Sequence, residues 1–201
     1  QGYRIVALSD SQGAIYTSDG LDPELIWQHK QKTKKLKGMV YCDASVCEEV
    51  EVEQLTNEEL LALDVDVLVL AALENAITED NAASVKAATI LEIANGPINS
   101  AADQLLADRG IEVLPDVLVN AGGVIVSHLE WVQNRMGDTW SEDEVNQRLA
   151  ARLAREAGLC LDYAEAHNTT LRTAAYAQAI SRITDAMAQQ GTHEYFSSLP
   201  R

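Results

Sequence analysis

The sequence predicts an α/β fold, a doubly wound parallel sheet followed by C-terminal helices, and three observations carry that expectation. Up to about residue 115, short apolar runs alternate with helical patterns across short connections, the rhythm of a parallel sheet with right-handed crossovers. One run, 65–70 (VDVLVL), is nearly all apolar, as expected of a central strand covered on both faces. Beyond Gly122 only helical patterns follow. The expected division is therefore a sheet domain over 1–136 and a helical segment, 137–201, packing on the same domain.

Element by element, residues 4–9 (RIVALS) read as a strand that stops at the turn Asp10-Ser11-Gln12-Gly13. Asp22-Pro23-Glu24 opens a helix: Asp caps free N–H groups, Pro suits the first helical position, and Glu favours the positive end. That helix should run towards Lys35 and stop near Gly38. Residues 49–53 alternate acidic and valine side chains, the period of a half-buried strand. Thr56 with Glu59 forms a capping box before a short helix ending near Leu63. A helix is expected around 82–87, a strand over 89–94, a helix opened by Ser100 and closed by Gly110, and a strand over 111–114. The later helices are expected over 124–136, 141–167, where Ser141 and Glu144 make a second capping box, and 171–190. In the last, Ala175, Ile180, Ile183 and Met187 make one apolar stripe, expected to be core packing.

Composition narrows the function classes. The 201 residues carry 15 Lys+Arg against 31 Asp+Glu, a net charge of −16. A surface this acidic repels nucleic acid and anionic lipid, so neither is expected as a partner. The longest dense apolar stretch, 65–73, is far shorter than the roughly 18 residues of a membrane helix and contains Asp66. No secretory signal pattern opens the chain. An odd three cysteines, Cys42, Cys47 and Cys160, argue against a disulfide framework and fit a reducing cytoplasm. Cys42 and Cys47 are too far apart for a CxxC motif, and no metal site is expected.

Open α/β sheets bind ligands beyond the carboxyl ends of their strands. The residues at those positions are Asp10, the 71–75 stretch, Asn95-Gly96-Pro97 and Asn120-Ala121-Gly122-Gly123, expected along one edge of the sheet. Asp10 suits a ribose hydroxyl, and equally a turn. Asn95 and Asn120 can each donate and accept, which suits a neutral amide or a ribose diol, although Asn also favours turns. Gly122-Gly123 before a helix permits close backbone approach to an anion or carboxylate. Ser127 lies in the first turns of that helix, where it either faces the cleft or is an ordinary surface serine. The phosphate-binding G-x-G-x-x-G turn is absent, so the expected fold is Rossmann-like and lacks its first βα unit. No nucleophile, base and orienter set is legible, and the four histidines are scattered.

Five stretches, in order and with matching spacing, resemble one family: VALSDSQGAIYTSDGLD (6–22), LDVDVLVLAALENAIT (63–78), ANGPINSAAD (94–103), LPDVLVNAGGVIVSHLEWVQN (114–134) and LRTAAYAQAI (171–180). The chain is similar to the cofactor-binding domain of the glutamate/leucine/phenylalanine/valine dehydrogenases. The resemblance implies reversible oxidative deamination of L-glutamate to 2-oxoglutarate and ammonia with NAD or NADP. It also implies a separate N-terminal catalytic domain, so no catalytic residue is assigned here and the chain is expected to be inactive alone. A homohexamer is implied for the longer protein.

By position, the resemblance assigns Asp10, with Ser11 beside it, to the adenosine ribose. Ala72 and Asn75 would form the wall receiving the ribose and adenine side, and Asn95 and Asn120 would lie near nicotinamide and its ribose. Ser127 matches the serine that contacts the substrate side-chain carboxylate, with Val124 lining the same pocket. A hydroxyl left unpaired against an apolar side chain costs roughly 1 to 3 kcal/mol, so Ser127 favours an acidic substrate over a branched-chain or aromatic one. The alternatives are a branched-chain or aromatic amino-acid dehydrogenase domain and a non-catalytic nucleotide-binding module. Leu91-Glu92-Ile93 departs from the Gly-containing approach to ANGP usual in the family.

Overall fold

The computed structural model describes residues 2–36, 41–43, 46–50 and 52–189. The chain divides into two compact units, Gln1–Val65 with Ser84–Ala87, and Asp66–Ala83 with Ala88–Arg201. That division keeps the helices after residue 136 in the same unit as the parallel sheet.

In the first unit, β1 (Ala7–Asp10) and β2 (Gly13–Tyr16) form an antiparallel hairpin with Leu8 opposite Ile15 and Asp10 opposite Gly13. The Asp10 carboxylate accepts the Gln12 N–H at 2.8 Å, an Asx turn that closes the two-residue loop. Gly13 has φ of 135°, and a Cβ there would come within 2.9 Å of the Leu55 carbonyl, so only glycine fits. Helix α1 (Pro23–Thr33) starts as expected, with Asp22 accepting from the N–H groups of Glu24 and Leu25, and ends at left-handed Lys34. The strands β3 (Tyr41–Asp43) and β4 (Val46–Val50) pair with each other, while β5 (Glu53–Leu55) pairs antiparallel with β2. The Thr56 capping box opens α2 (Asn57–Leu61). Ile15, Leu21, Ile26, Leu36 and Val52 pack into the core of this unit.

The second unit is built on a parallel sheet of β6 (Val67–Leu70), β7 (Thr89–Glu92) and β8 (Glu112–Leu114), in that order. Helix α3 (Ser100–Asp108) crosses from β7 to β8 and buries Ala102 and Leu106. Four helices follow: α4 (Asp116–Val119), α5 (Gly122–Met136), α6 (Glu142–His167) and α7 (Leu171–Gln189). Cys160, Leu171 and Ala175 form a core cluster that also takes in Leu114 and Leu118, which joins α6 and α7 to the end of β8 and to α4. No helix among the described residues is long and apolar enough to cross a membrane.

The α/β class and the parallel sheet are observed, and several details differ from expectation. The first strand does not enter a crossover; its two-residue Asx turn reverses it into β2, a strand too short to register as a pattern. The expected 49–53 strand is two, β4 and β5, on either side of residue 51. The helix around 82–87 is a single 3₁₀ turn, Ala82–Ser84. Asn81 holds the Thr78 N–H and donates to the Ala76 carbonyl, and the few residues left before β7 leave no room for a second turn. The cap of α3 is Asn99, which accepts from Ala102 N at 2.8 Å, rather than Ser100. The short helix α4, capped by Pro115, lies where no helix is expected, and α5 begins at Gly122 rather than 124. The run 65–70 does not form a central strand covered on both sides: β6 is at the edge of its sheet, Leu68 and Leu70 are buried, and Val67 and Val69 are about half exposed. The α7 stripe is likewise only partly core, since Ala175 is buried but Ile180 and Ile183 are 59% and 60% exposed. The stop at Gly38 lies outside the described residues, as do the side chains of Cys42 and Cys47.

Candidate functional site

The hairpin turn of the first unit forms one wall of a cleft lined by Asp10, Ser11, Gln12, Leu36, Thr56 and Asn57. Asp10 is the organising group. Besides Gln12 it accepts the Leu36 N–H at 3.2 Å, it pairs with Lys30 of α1, and its carbonyl accepts from the Asn57 carboxamide at 3.1 Å. The Lys30 hydrogen bond outweighs the opposing effect of burial, and with the two N–H groups it holds the Asp10 carboxyl below its ordinary value. Ser11 is exposed on the turn. Asp10 is thus both turn former and potential ligand, and Lys30, twenty residues on, neutralises it.

In the second unit the loops after β6, β7 and β8 are laced together. The Asn75 N–H donates to the Gly96 carbonyl at 2.9 Å, and the Ile77 N–H to the Pro97 carbonyl at 2.9 Å. Asn75 has φ of 53°, the left-handed conformation that Asn tolerates better than most residues. Ala72 is exposed in the same loop. The Asn120 carboxamide donates to the Asn95 carboxamide oxygen at 2.6 Å, which brings these two expected site residues into direct contact. That bond uses one donor of Asn120 and one acceptor of Asn95, so the Asn95 nitrogen and the Asn120 oxygen keep their capacity for further hydrogen bonds. Three of the four loops expected at the sheet edge therefore meet, while Asp10 and Ser11 belong to the first unit.

On α5, Ser127 and Val124 are three residues apart on one exposed face, opposite the buried Leu129, and the Ser127 hydroxyl donates to the Val124 carbonyl at 3.0 Å. Behind the Asn pair lies a cluster that the sequence reading missed. Glu92, fully buried at the end of β7, accepts from Arg172 of α7 at 2.9 Å and from the Asp116 N–H at 2.8 Å. Arg172 also donates to Asp103 at 3.0 Å and to Asp116 at 3.4 Å. Burial opposes its charge, but the hydrogen bonds to Glu92 and Asp103 outweigh that, so the guanidinium pKa is raised and the charge is permanent. A buried glutamate is a strong signal that a partner exists, yet Glu92 shows as buried only after folding. Nothing in the spacing of Glu92 and Arg172, eighty residues apart, announces their pairing.

Taken together, the second unit presents a hydrogen-bonded pair of neutral carboxamides beyond the carboxyl ends of its parallel strands, and α5 carries a hydroxyl on an exposed face. Two carboxamides and a hydroxyl offer neutral hydrogen-bond donors and acceptors, the chemistry that suits a polar, uncharged group.

A sequence profile described as "Glutamate/Leucine/Phenylalanine/Valine dehydrogenase" matches residues 1–191. The chain is 51% identical over 195 residues to an NADP-specific glutamate dehydrogenase of Synechocystis, covering 97% of this chain and 45% of that protein. It is 42% identical over 190 residues to NAD-specific glutamate dehydrogenase A of Halobacterium salinarum, covering 94% of this chain and 41% of that protein. Among solved structures, the hetero-hexameric glutamate dehydrogenase of Thermus thermophilus in a Leu-bound form superposes with a TM-score of 0.80 at 34% identity, over 93% of this chain and 42% of that one. The chain spans less than half the length of the curated relatives it matches.

Proposed function

Because the chain belongs to the glutamate/leucine/phenylalanine/valine dehydrogenase family, we propose that it is the cofactor-binding part of a longer enzyme. That enzyme interconverts L-glutamate with 2-oxoglutarate and ammonia, using NAD or NADP. The observation that carries this reading is the Asn95–Asn120 carboxamide pair where the loops after β6, β7 and β8 meet. A carboxamide pair with spare donor and acceptor fits the nicotinamide amide and its ribose hydroxyls, groups that are themselves neutral donors and acceptors. When bound, the nicotinamide supplies the hydride acceptor; the chain's residues hold it in place.

In this reading Ala72 and Asn75 wall the ribose and adenine side, and Asp10 and Ser11 take the adenosine ribose. Lys30 beside Asp10 offsets the repulsion that a bare carboxylate would exert on a 2′-phosphate, so both cofactors are admitted. Ser127, exposed on α5 above Val124, offers its hydroxyl to the substrate side-chain carboxylate. Proton transfer is left to residues outside this chain, and the chain alone is inactive. The whole protein assembles as a homohexamer and works in the cytoplasm, a compartment that suits a free buried thiol at Cys160.

The test is to assay the full-length protein with 2-oxoglutarate, ammonia and NADH or NADPH. Turnover is expected with 2-oxoglutarate. Turnover only with a branched-chain 2-oxo acid would overturn the substrate assignment, and failure to bind either reduced cofactor would overturn the dehydrogenase reading. Replacing Ser127 with Val is expected to lower kcat/KM for glutamate by about tenfold or more, the loss of one hydrogen bond to a charged group. An unchanged preference between glutamate and leucine would remove Ser127 from the pocket.

A further inference from the structure

We infer that Asp116, held by Arg172 and Glu92, is a positioning residue that sets the geometry of the Asn95–Asn120 pair and so governs how the nicotinamide end of the cofactor is oriented. The inference rests on the dehydrogenase reading above. Asp116 holds the loop of one member and begins the short helix that ends at the other. One carboxylate oxygen accepts the Gly96 N–H at 2.8 Å, fixing the loop that carries Asn95, while Asn120 caps α4 through the ordinary helical bond of its N–H to the Asp116 main-chain carbonyl at 2.9 Å. Gly96 has φ of 56°, a left-handed conformation that glycine adopts without strain, so the direction of its N–H towards Asp116 costs the loop nothing.

Asp116 is itself clamped. Its N–H donates to Glu92, and its second carboxylate oxygen accepts from Arg172 and from the Val117 N–H at 2.7 Å. Glu92 has nothing to do at a binding surface, because it is fully buried, and Arg172 is 19% exposed. Their arrangement makes sense as a brace: the Arg172 fork joins the ends of β7, α3 and α4 through three carboxylates, so the two Asn-bearing loops move together or not at all.

The experiment uses the full-length enzyme, with steady-state kinetics in cofactor and in glutamate, fluorescence titration of reduced cofactor, and thermal melts. Wild-type binding and turnover test the dehydrogenase reading separately, before any variant is compared. Asp116→Ala is expected to lower kcat/KM for the cofactor by about tenfold or more, as a small misplacement of orienting groups does, while KM for glutamate changes by less than about twofold. Asp116→Asn keeps an oxygen for the Gly96 N–H but loses the acceptor that faces Arg172 and the Val117 N–H, so its cofactor kcat/KM should lie between those of Asp116→Ala and wild type. A cofactor kcat/KM unchanged in Asp116→Ala, or no better in Asp116→Asn than in Asp116→Ala, would overturn the inference.

Should Asp116→Ala fail to fold, Arg172→Lys carries the test, since it keeps the charge and loses the fork. Its expected loss of about three- to tenfold in cofactor kcat/KM should fall below about twofold in an Asn95→Ala background, because both changes act through one loop. Additive losses would overturn the inference.

Discussion

Asp10 shows how one side chain serves structure before it serves a ligand. Its carboxylate closes the hairpin through Gln12, ties in Leu36 and pairs with Lys30. Removing it as Asp10→Ala should cost about 1 to 2 kcal/mol at neutral pH, because two partly buried donors, Leu36 N–H and Lys30, lose their acceptor. The folded-state pKa lies below the ordinary 3.8, so this contribution is complete above that value and is lost as pH falls through the folded value. Denaturant melts of the wild type and the variant should therefore converge below the carboxylate range; an equal gap at neutral and strongly acid pH would contradict the assignment. In the full-length enzyme, Lys30→Met should uncover the Asp10 charge and lower the ratio of NADPH to NADH turnover by about two- to fivefold, the scale of a partly exposed ion pair. A ratio that stays constant would place Lys30 outside the ribose site. Asp10, Asn95, Asn120 and Ser127 were each legible as candidates because they lie at or beyond strand ends or in the first turns of a helix. Lys30, Glu92, Asp116 and Arg172 were not, because their roles are contacts between distant positions.

Three helix caps were readable, since a cap depends on residues within one turn, whereas the cap of α3 and the starts of α4 and α5 were not placed. Asp22, Thr56 and Ser141 all cap as their neighbours predict, and both capping boxes form. Ser141→Ala should destabilise the second unit by about 0.5 to 2 kcal/mol, measured by denaturant unfolding. Burial was less readable, because periodicity identifies residues that share a face and says nothing of what covers it. The α7 stripe illustrates this. Leu171→Ala, at a position 7% exposed, should cost about 2 to 5 kcal/mol, whereas Ile180→Ala should change the stability of this chain by less than about 0.5 kcal/mol. Equal effects would mean that Ile180 is covered in this chain after all. The same limit applies to β6, where an apolar run predicted a central strand and the pairing order made it an edge.

Across the whole molecule, the charge of −16 sets a general expectation. Like charges at this density repel through a screening length of about 10 Å at 0.1 M salt, so the melting temperature should rise between low and moderate NaCl. A fall would show that attractive ion pairs, such as those of Arg172 and Arg182, dominate instead. The α/β class, the parallel sheet, the caps at Asp22, Thr56 and Ser141 and the family were legible in the order of residues, because each depends on local chemistry or on several linear stretches with characteristic spacing. Two features required the chain to be folded. One is the reversal of the first strand into a hairpin, decided by a two-residue turn and by the close approach of Gly13 to Leu55. The other is the brace of Arg172, Glu92 and Asp116 behind the Asn95–Asn120 pair. Both depend on which distant groups are pressed together as water is excluded, and a buried charge with its partners is specified by three-dimensional proximity, which linear spacing does not encode.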